Sequence, residues 1–234
     1  MTIGILETGR PPEALRARWG TYDDMIRTML GRDRKYRSYD VQAGELPAEP
    51  TACSAYVITG SAAAVYDDLP WIPPLLDFLR QVRGKAKLVG ICFGHQAMAK
   101  AFGGEVAKSP KGWAVGMHRY EIVEPPPGMR EPSAFAIPAF HQDQVVTLPP
   151  GARVLAASAF TPFASIGYDD DTVSVQGHPE FSPAFSAALI GALRDVYGPL
   201  AGPALLSLWQ PEDGGRAADW LRHFIDGSGL DAPG

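Results

Sequence analysis

The segment Lys87-Leu88-Val89-Gly90-Ile91-Cys92-Phe93-Gly94-His95-Gln96 constrains the fold of this chain more than any other stretch. The apolar run 88–91 reads as a buried strand, and the helix-forming residues 97–102 follow it. A cysteine at the corner between two glycines gives Gly-x-Cys-x-Gly, the pattern of a nucleophile elbow. Such a turn lifts the side chain clear of the sheet, and the flanking glycines let strand and helix close around it. The start of the helix directs unpaired N–H groups and the positive end of its dipole at the sulfur. Both favour the thiolate, which is the reactive form of cysteine. The plainer reading is a small, inert core cysteine at a strand end. The partners that a thiol nucleophile requires decide between the two.

Short apolar runs alternate with helical patterns before the elbow. Residues 2–6 read as a first strand, ending near the Gly-Pro-rich stretch 8–12. Residues 23–30 carry Met25, Ile26, Met29 and Leu30 at helical spacing. Residues 36–41 and 55–59 read as strands, the second ending at Thr59-Gly60-Ser61. Residues 73–82 read as a helix with Leu75, Leu76, Phe78, Leu79 and Val82 on its buried side. This alternation predicts an α/β fold: a flavodoxin-like open, parallel or mixed sheet with helices on both faces. Beyond Phe102 the texture changes. Residues 105–107, 116–123, 134–140, 145–148, 153–158 and 163–168 read as strands broken by Pro and Gly, which predicts an added hairpin or meander region. Residues 172–176 read as a further strand, 183–197 as a helix, and 216–225 as a last helix after a Pro-Gly-rich bend. The expected organisation is a domain over 1–195, with 196–234 as a C-terminal helical extension of it and a loose tail over 227–234.

A chain of 234 residues buries a sizeable core without cross-links. Two cysteines, Cys53 and Cys92, make no disulfide framework and fit a reducing compartment. A net charge of −5 without a dense basic stripe argues against a nucleic-acid partner. The N-terminus lacks the pattern of a signal peptide, and no apolar run approaches the ~18 residues of a membrane span. The cytoplasm is therefore the expected location, without a membrane partner.

A cysteine nucleophile needs a base, and the base an orienting group. Among five histidines, His178 lies in Gln176-Gly177-His178-Pro179-Glu180, just past a strand end. In open α/β sheets ligands bind beyond the carboxyl ends of the strands, where the elbow also opens. If the segment is extended, Glu180 points the same way as His178 and holds one ring nitrogen, leaving the other for the sulfur. The competing reading makes His-Pro-Glu a helix start. His141, in Phe140-His141-Gln142-Asp143, is the rival base, with its own carboxylate two residues on. His95 lies inside the elbow helix and reads as a helix–loop contact; His118 and His223 read as surface or packing residues. No spacing matches a zinc signature, a Walker loop or a dinucleotide fingerprint, so neither metal nor cofactor is expected.

With these residues in place, the chain resembles the class I, or triad, glutamine amidotransferases. The resemblance rests on Gly90-Ile91-Cys92-Phe93-Gly94-His95-Gln96 and Gly177-His178-Pro179-Glu180, with Thr59-Gly60-Ser61 and His141-Gln142-Asp143-Gln144-Val145 in corresponding places. Val65-Tyr66-Asp67-Asp68-Leu69-Pro70-Trp71-Ile72 is most similar to the stand-alone members, amidotransferase-like proteins and γ-glutamyl peptidases. The resemblance implies Cys92 as nucleophile, His178 as base and later acid, and Glu180 as the orienting carboxylate. It implies an oxyanion hole from the backbone at Gly60 and Phe93, and substrate contacts from Gln96, His141 and Asp143. The segments 61–70 and 108–117 are expected to shape specificity.

The implied reaction is hydrolysis of the γ-glutamyl amide of glutamine through a thioester, serving a separate synthetase subunit. The final ~40 residues are too few for an attached ATP-dependent synthetase. The alternative is a stand-alone γ-glutamyl peptidase acting on glutathione or γ-glutamyl conjugates. Two further readings are a silent binding protein on the same fold, and another cysteine hydrolase on a similar sheet.

Overall fold

The computed structural model describes residues 1–227; the remainder of the tail expected to be loose lies outside the described residues. The chain opens with β1 (Thr2–Glu7), α1 (Glu13–Trp19), α2 (Tyr22–Leu30), β2 (Lys35–Asp40), β3 (Ala55–Ile58) and α3 (Ile72–Val82). The elbow joins β4 (Lys87–Ile91) to α4 (Phe93–Ala101). Then come β5 (Glu105–Lys108), β6 (Ala114–Ile122), β7 (Phe135–His141), β8 (Asp143–Thr147), β9 (Arg153–Ala157), β10 (Ser165–Asp169) and β11 (Thr172–Val175). Four helices follow: α5 (Pro183–Ala192), α6 (Arg194–Tyr197), α7 (Ala201–Ser207) and α8 (Gly214–Asp226).

Nine strands form one sheet in the order β2-β1-β3-β4-β11-β10-β9-β6-β7. From β2 to β11 all pairings are parallel; from β11 onward all are antiparallel. The fold is therefore the α/β type with a mixed sheet, parallel in the half that carries the elbow. The strand-rich region is no separate layer: β6, β7, β9 and β10 extend the main sheet, and only β5 and β8 pair apart.

The period-two alternation of side chains explains why both faces are covered. Ile3, Ile5, Ala55, Val57, Val89 and Ile91 point to one face, where α2 and α8 supply Ile26, Leu30, Leu221 and Phe224. Leu6, Tyr56, Ile58 and Leu88 point to the other, against Leu75, Leu79, Ala97 and Met98 of α3 and α4. Strands buried on both faces read as unbroken apolar runs, which is how β3 and β4 appear in the sequence. The edge strand β2, Lys-Tyr-Arg-Ser-Tyr-Asp, is largely exposed, and its charges discourage pairing with another chain.

Three elements depart from the expected pattern. Helix α1 is unexpected from the sequence: none of its residues is fully buried, and its apolar side is only Leu15 and Trp19, one turn apart, packed against Phe181 and Phe185. The helix expected over 183–197 breaks at Leu193, which leaves the helical basin at φ −109° and ψ 24°. The Pro-Gly-rich bend contains α7, with Gly202 and Pro203 in its first turn, where proline removes no helical hydrogen bond. No helix among the described residues is long and apolar enough to cross a membrane.

Helix α2 brings Tyr22 to the carboxyl side of the sheet, and its start is fixed by a capping box. Thr21 accepts from the Asp24 N–H at 3.2 Å, and Asp24 accepts from the Thr21 N–H at 2.9 Å. Thr21→Ala is expected to lower stability by about 1 kcal/mol, read as a reduced denaturant midpoint with an unchanged slope.

Candidate active site

Cys92 sits at φ 52° and ψ −102°, the left-handed region, and is the one non-glycine residue with positive φ among the described residues. Such a conformation costs roughly 1–3 kcal/mol and persists only where its surroundings enforce it. Here they do. The Cys92 N–H donates to Val175 O at 2.9 Å, the Gly94 N–H to Thr59 O at 3.2 Å, and the Gln96 N–H to Cys92 O at 3.1 Å. A methyl group on Gly94 would lie 2.4 Å from the Ile58 carbonyl oxygen, and one on Gly90 would lie 2.6 Å from the Gly94 oxygen. Only glycine lets the new helix come this close to β3 and β4. The sulfur is held at the carboxyl ends of β3, β4 and β11, on the floor of a cleft of about 740 Å³.

The segment after β11 delivers the imidazole. It is a turn rather than the extended run expected, since the Phe181 N–H donates to His178 O at 3.3 Å. The turn still brings carboxylate and ring together: His178 Nδ1 lies 2.7 Å from Glu180 Oε1. The other side of the ring is turned toward the Cys92 side chain, whose sulfur lies 4.0 Å from Phe140 O. His178 is further fixed by its N–H, which donates to Pro138 O at 2.8 Å, and by Phe181, stacked on the ring at 4.0 Å and 9°. The motif is not a helix start: α5 begins at Pro183, with Ser182 as its cap.

Burial is the largest influence on His178 and opposes its charge. The Glu180 carboxylate, the Cys92 sulfur and their hydrogen bonds together outweigh it and raise the ring pKa to about 10. The imidazole is therefore protonated at neutral pH, with a sulfur on one side and a carboxylate on the other.

His141 is the opposite case. Its Nδ1 meets the main-chain carbonyl of Asp143 at 3.1 Å, so the anticipated carboxylate partner is a peptide oxygen. Burial pushes this ring down to about 3 and keeps it neutral. It lines the cleft, as do Gly60, Gln96 and Asp143. Gln96 donates to Asp143 O at 2.9 Å and to Gln176 Oε1 at 3.2 Å, tying α4 to the strand ends around it. Burial and the Asp143 carboxylate together push the Tyr66 phenol up. A methyl group on Gly60 would lie 3.0 Å from His178 Cε1 and 3.7 Å from Cys92 Cβ, so this peptide runs against the Cys–His pair. Phe93 follows Cys92 as the first helical residue, where an N–H has no intrahelical acceptor.

His95 turns the other way. Fully buried, it meets Ser174 Oγ on β11 at 2.8 Å, so the expected loop contact is a strand contact. His118 packs edge-on against Phe160. Cys53 is buried beside Tyr39 and Tyr56, away from the cleft. Ser61, Tyr66 and Asp67 from segment 61–70, and Lys108 and Trp113 from segment 108–117, stand on the cleft walls. Among the described residues no group of three or more His, Cys, Asp or Glu is arranged to hold a metal.

Some supporting residues carried no signal of their own. Thr8 and Thr59, both buried, are laced together: the Thr8 N–H donates to Thr59 Oγ1 at 3.0 Å and the Thr8 hydroxyl to Thr59 O at 2.9 Å. This pair orients the peptide leading to Gly60. Phe140, Phe181 and Tyr22 enclose the imidazole, and burial raises the Tyr22 phenol well above its ordinary value, reinforced by Cys92 and Glu180.

A family model for class-I glutamine amidotransferases matches residues 29–189. A glutamine amidotransferase-like protein of Schizosaccharomyces pombe is 30% identical over 208 residues, covering 82% of this chain and 84% of its own. Gamma-glutamyl peptidase 4 of Arabidopsis thaliana is 32% identical over 180 residues, covering 73% of this chain and 72% of its own. The crystal structure of a glutamine amidotransferase from Thermotoga maritima superimposes with a TM-score of 0.77 at 20% identity, over 97% of this chain and 98% of that one.

The raised pKa of His178 has a signed consequence. Its pairing contributes fully to stability below the ordinary imidazole value of about 6.5 and is lost as pH rises through about 10. In Glu180→Gln burial prevails and the ring pKa falls. Between about pH 7 and about pH 10.5 the wild-type denaturant midpoint should decline more than that of the variant. Parallel profiles would show that Glu180 does not hold the ring protonated.

Proposed function

The chain belongs to the class-I glutamine amidotransferase family, and from that premise we propose that it hydrolyses γ-glutamyl amide bonds through a thioester on Cys92. The observation that carries this reading is the relay of three side chains. Glu180 is bonded at 2.7 Å to the far nitrogen of His178, whose other side faces a cysteine held at positive φ. A packed, inert cysteine gains nothing from a strained backbone beside a protonated ring.

In this mechanism the Cys92 sulfur attacks the γ-carbonyl carbon. The oxyanion takes hydrogen bonds from the Gly60 and Phe93 N–H groups, each such donor contributing about 3–4 kcal/mol. The C–N bond breaks as His178 gives its proton to the leaving nitrogen. A water then loses a proton to His178 and its oxygen attacks the thioester; the C–S bond breaks, releasing glutamate and restoring the sulfur beside the protonated ring. Glu180 keeps the ring in the orientation that both transfers need. Gln96 and Asp143 hold the strand ends that receive the glutamyl part, and neutral His141 lines the same end of the cleft.

Glutamine, with ammonia passed to a separate synthetase, is one substrate consistent with this chemistry. A γ-glutamyl peptide or conjugate is the second, and two observations favour it. The cleft of about 740 Å³ falls in the ~300–1,000 Å³ range of sites for drug-sized ligands. A relative named gamma-glutamyl peptidase aligns over most of the chain.

Purified protein incubated with glutamine, glutathione and γ-glutamyl amides should release glutamate. Cys92→Ser should abolish release, and His178→Ala should lower kcat by about 10³-fold or more, while His141→Ala retains more activity. Loss in His141→Ala with a working His178→Ala would reassign the base. Release by Cys92→Ser at the wild-type rate would end the thioester mechanism.

A further inference from the structure

Resting on the γ-glutamyl reading above, the position of His178 decides where the leaving group goes. The ring protonates the departing nitrogen, so whatever that nitrogen carries leaves on the imidazole's side of the cleft. That side is lined with aromatic rings in sequence. His178 meets Phe140 at 6.1 Å, nearly edge-on; Phe140 meets Tyr197 at 6.3 Å; Tyr197 meets Trp113 edge-on at 5.3 Å. Leu193 and Val196 continue the lining. Polar lining comes from Ser61, Tyr66 and Asp67 after β3, Gln96 on α4 and Asp143 on β8, and Arg10, Arg16 and Lys108 also stand on the cleft wall. Phe140, Tyr197, Trp113, Leu193 and Val196 thus form an apolar strip along one wall of the cleft, running outward from the general acid.

We infer that this strip receives the amine half of the substrate, and that the amine carries an aromatic or branched aliphatic body. The preferred class is γ-glutamyl amides of apolar amines rather than glutamine. Ammonia touches none of these residues, and a small polar amine would leave the strip facing water. An aromatic ring would instead cover it, at roughly 25 cal/mol per Å² of apolar surface removed from water, and would stack or pack edge-on with Phe140, Tyr197 and Trp113. The break between α5 and α6 falls within the strip, since Leu193 and, on α6, Val196 and Tyr197 all line the cleft. Val196, 54% exposed, stands where the strip meets solvent, so a long body has an exit. The bond changes are those of the proposed reaction. The C–N bond breaks, the C–S bond forms, the amine leaves with the proton from His178, and water then cleaves the thioester.

The test compares γ-glutamyl benzylamide with glutamine, γ-glutamyl ethylamide and γ-glutamylglycine. The benzylamide should have the highest kcat/KM, at least about tenfold above glutamine. Val196→Asp, at an exposed position where folding tolerates it, should lower the benzylamide-to-glutamine ratio about tenfold. The inference is overturned if glutamine or γ-glutamylglycine equals the benzylamide, or if Val196→Asp leaves the ratio unchanged. Calorimetric titration of Cys92→Ala with benzylamide and glutamine separates this inference from the reading beneath it. Tighter benzylamide binding without turnover of any substrate by wild type supports the strip and sinks the hydrolysis. Equal binding sinks the strip whether or not the wild type is active.

Discussion

A carboxylate and an imidazole 2.7 Å apart, both nearly withdrawn from water, are the contact around which the rest of the cleft is arranged. Isolated charges at such depth would be costly, since burial acts on His178 more strongly than any single partner. The ring stays protonated because a carboxylate and a sulfur flank it together. The surrounding structure maintains that spacing. Pro138 O fixes the backbone of the turn, Phe181 lies flat on the ring, and the peptide at Gly60 closes against its edge. A group larger than hydrogen at Gly60 would push against the imidazole itself.

The second constraint is the backbone at Cys92. Positive φ at a residue with a Cβ is unfavourable, and three main-chain hydrogen bonds to strands or to the next helical turn hold it. The strain is local, while its support is distributed: β3 contributes through Thr59, β11 through Val175, and β1 through Thr8 and its bonds to Thr59. The central parallel strands thereby act as a clamp on one sulfur. Their doubly buried faces supply the rigidity, which explains why the most apolar part of the sheet lies directly beneath the most polar cluster.

Much of this was legible in the sequence, and the boundary of what was legible has a physical cause. The elbow, the His178–Glu180 pair and the parallel half of the sheet are written in short-range patterns. These are glycines two residues from a cysteine, a carboxylate two residues from a histidine, and apolar runs of strand length. Even there the local geometry differed, since a tight turn rather than extended chain joins His178 to Glu180. What escaped depends on distant partners. Thr8 and Thr59 are ordinary residues until a parallel pairing places them side by side. Nothing local in the sequence marks Phe140 and Phe181 as the rings that pack on the imidazole. Helix α1 carries no buried stripe, and α7 hides behind a proline and a glycine that mark a bend as readily as a first turn. His141 and His178 have the same sequence neighbourhood, a carboxylate two positions on. Only the fold distinguishes the ring that meets a carboxylate from the one that meets a peptide oxygen.

The place of β11 has a consequence for how the molecule comes into being. This strand is the last of the eleven among the described residues, yet it occupies the middle of the sheet, between β4 and β10. A growing polypeptide that ends before Thr172 therefore holds two partial sheets with an empty slot between them, and its Cys92 amide lacks the Val175 acceptor. The same late segment carries the imidazole and the carboxylate. The imidazole and the sulfur are thus brought together only when the slot is filled. Completion of the sheet and completion of the cleft become a single event.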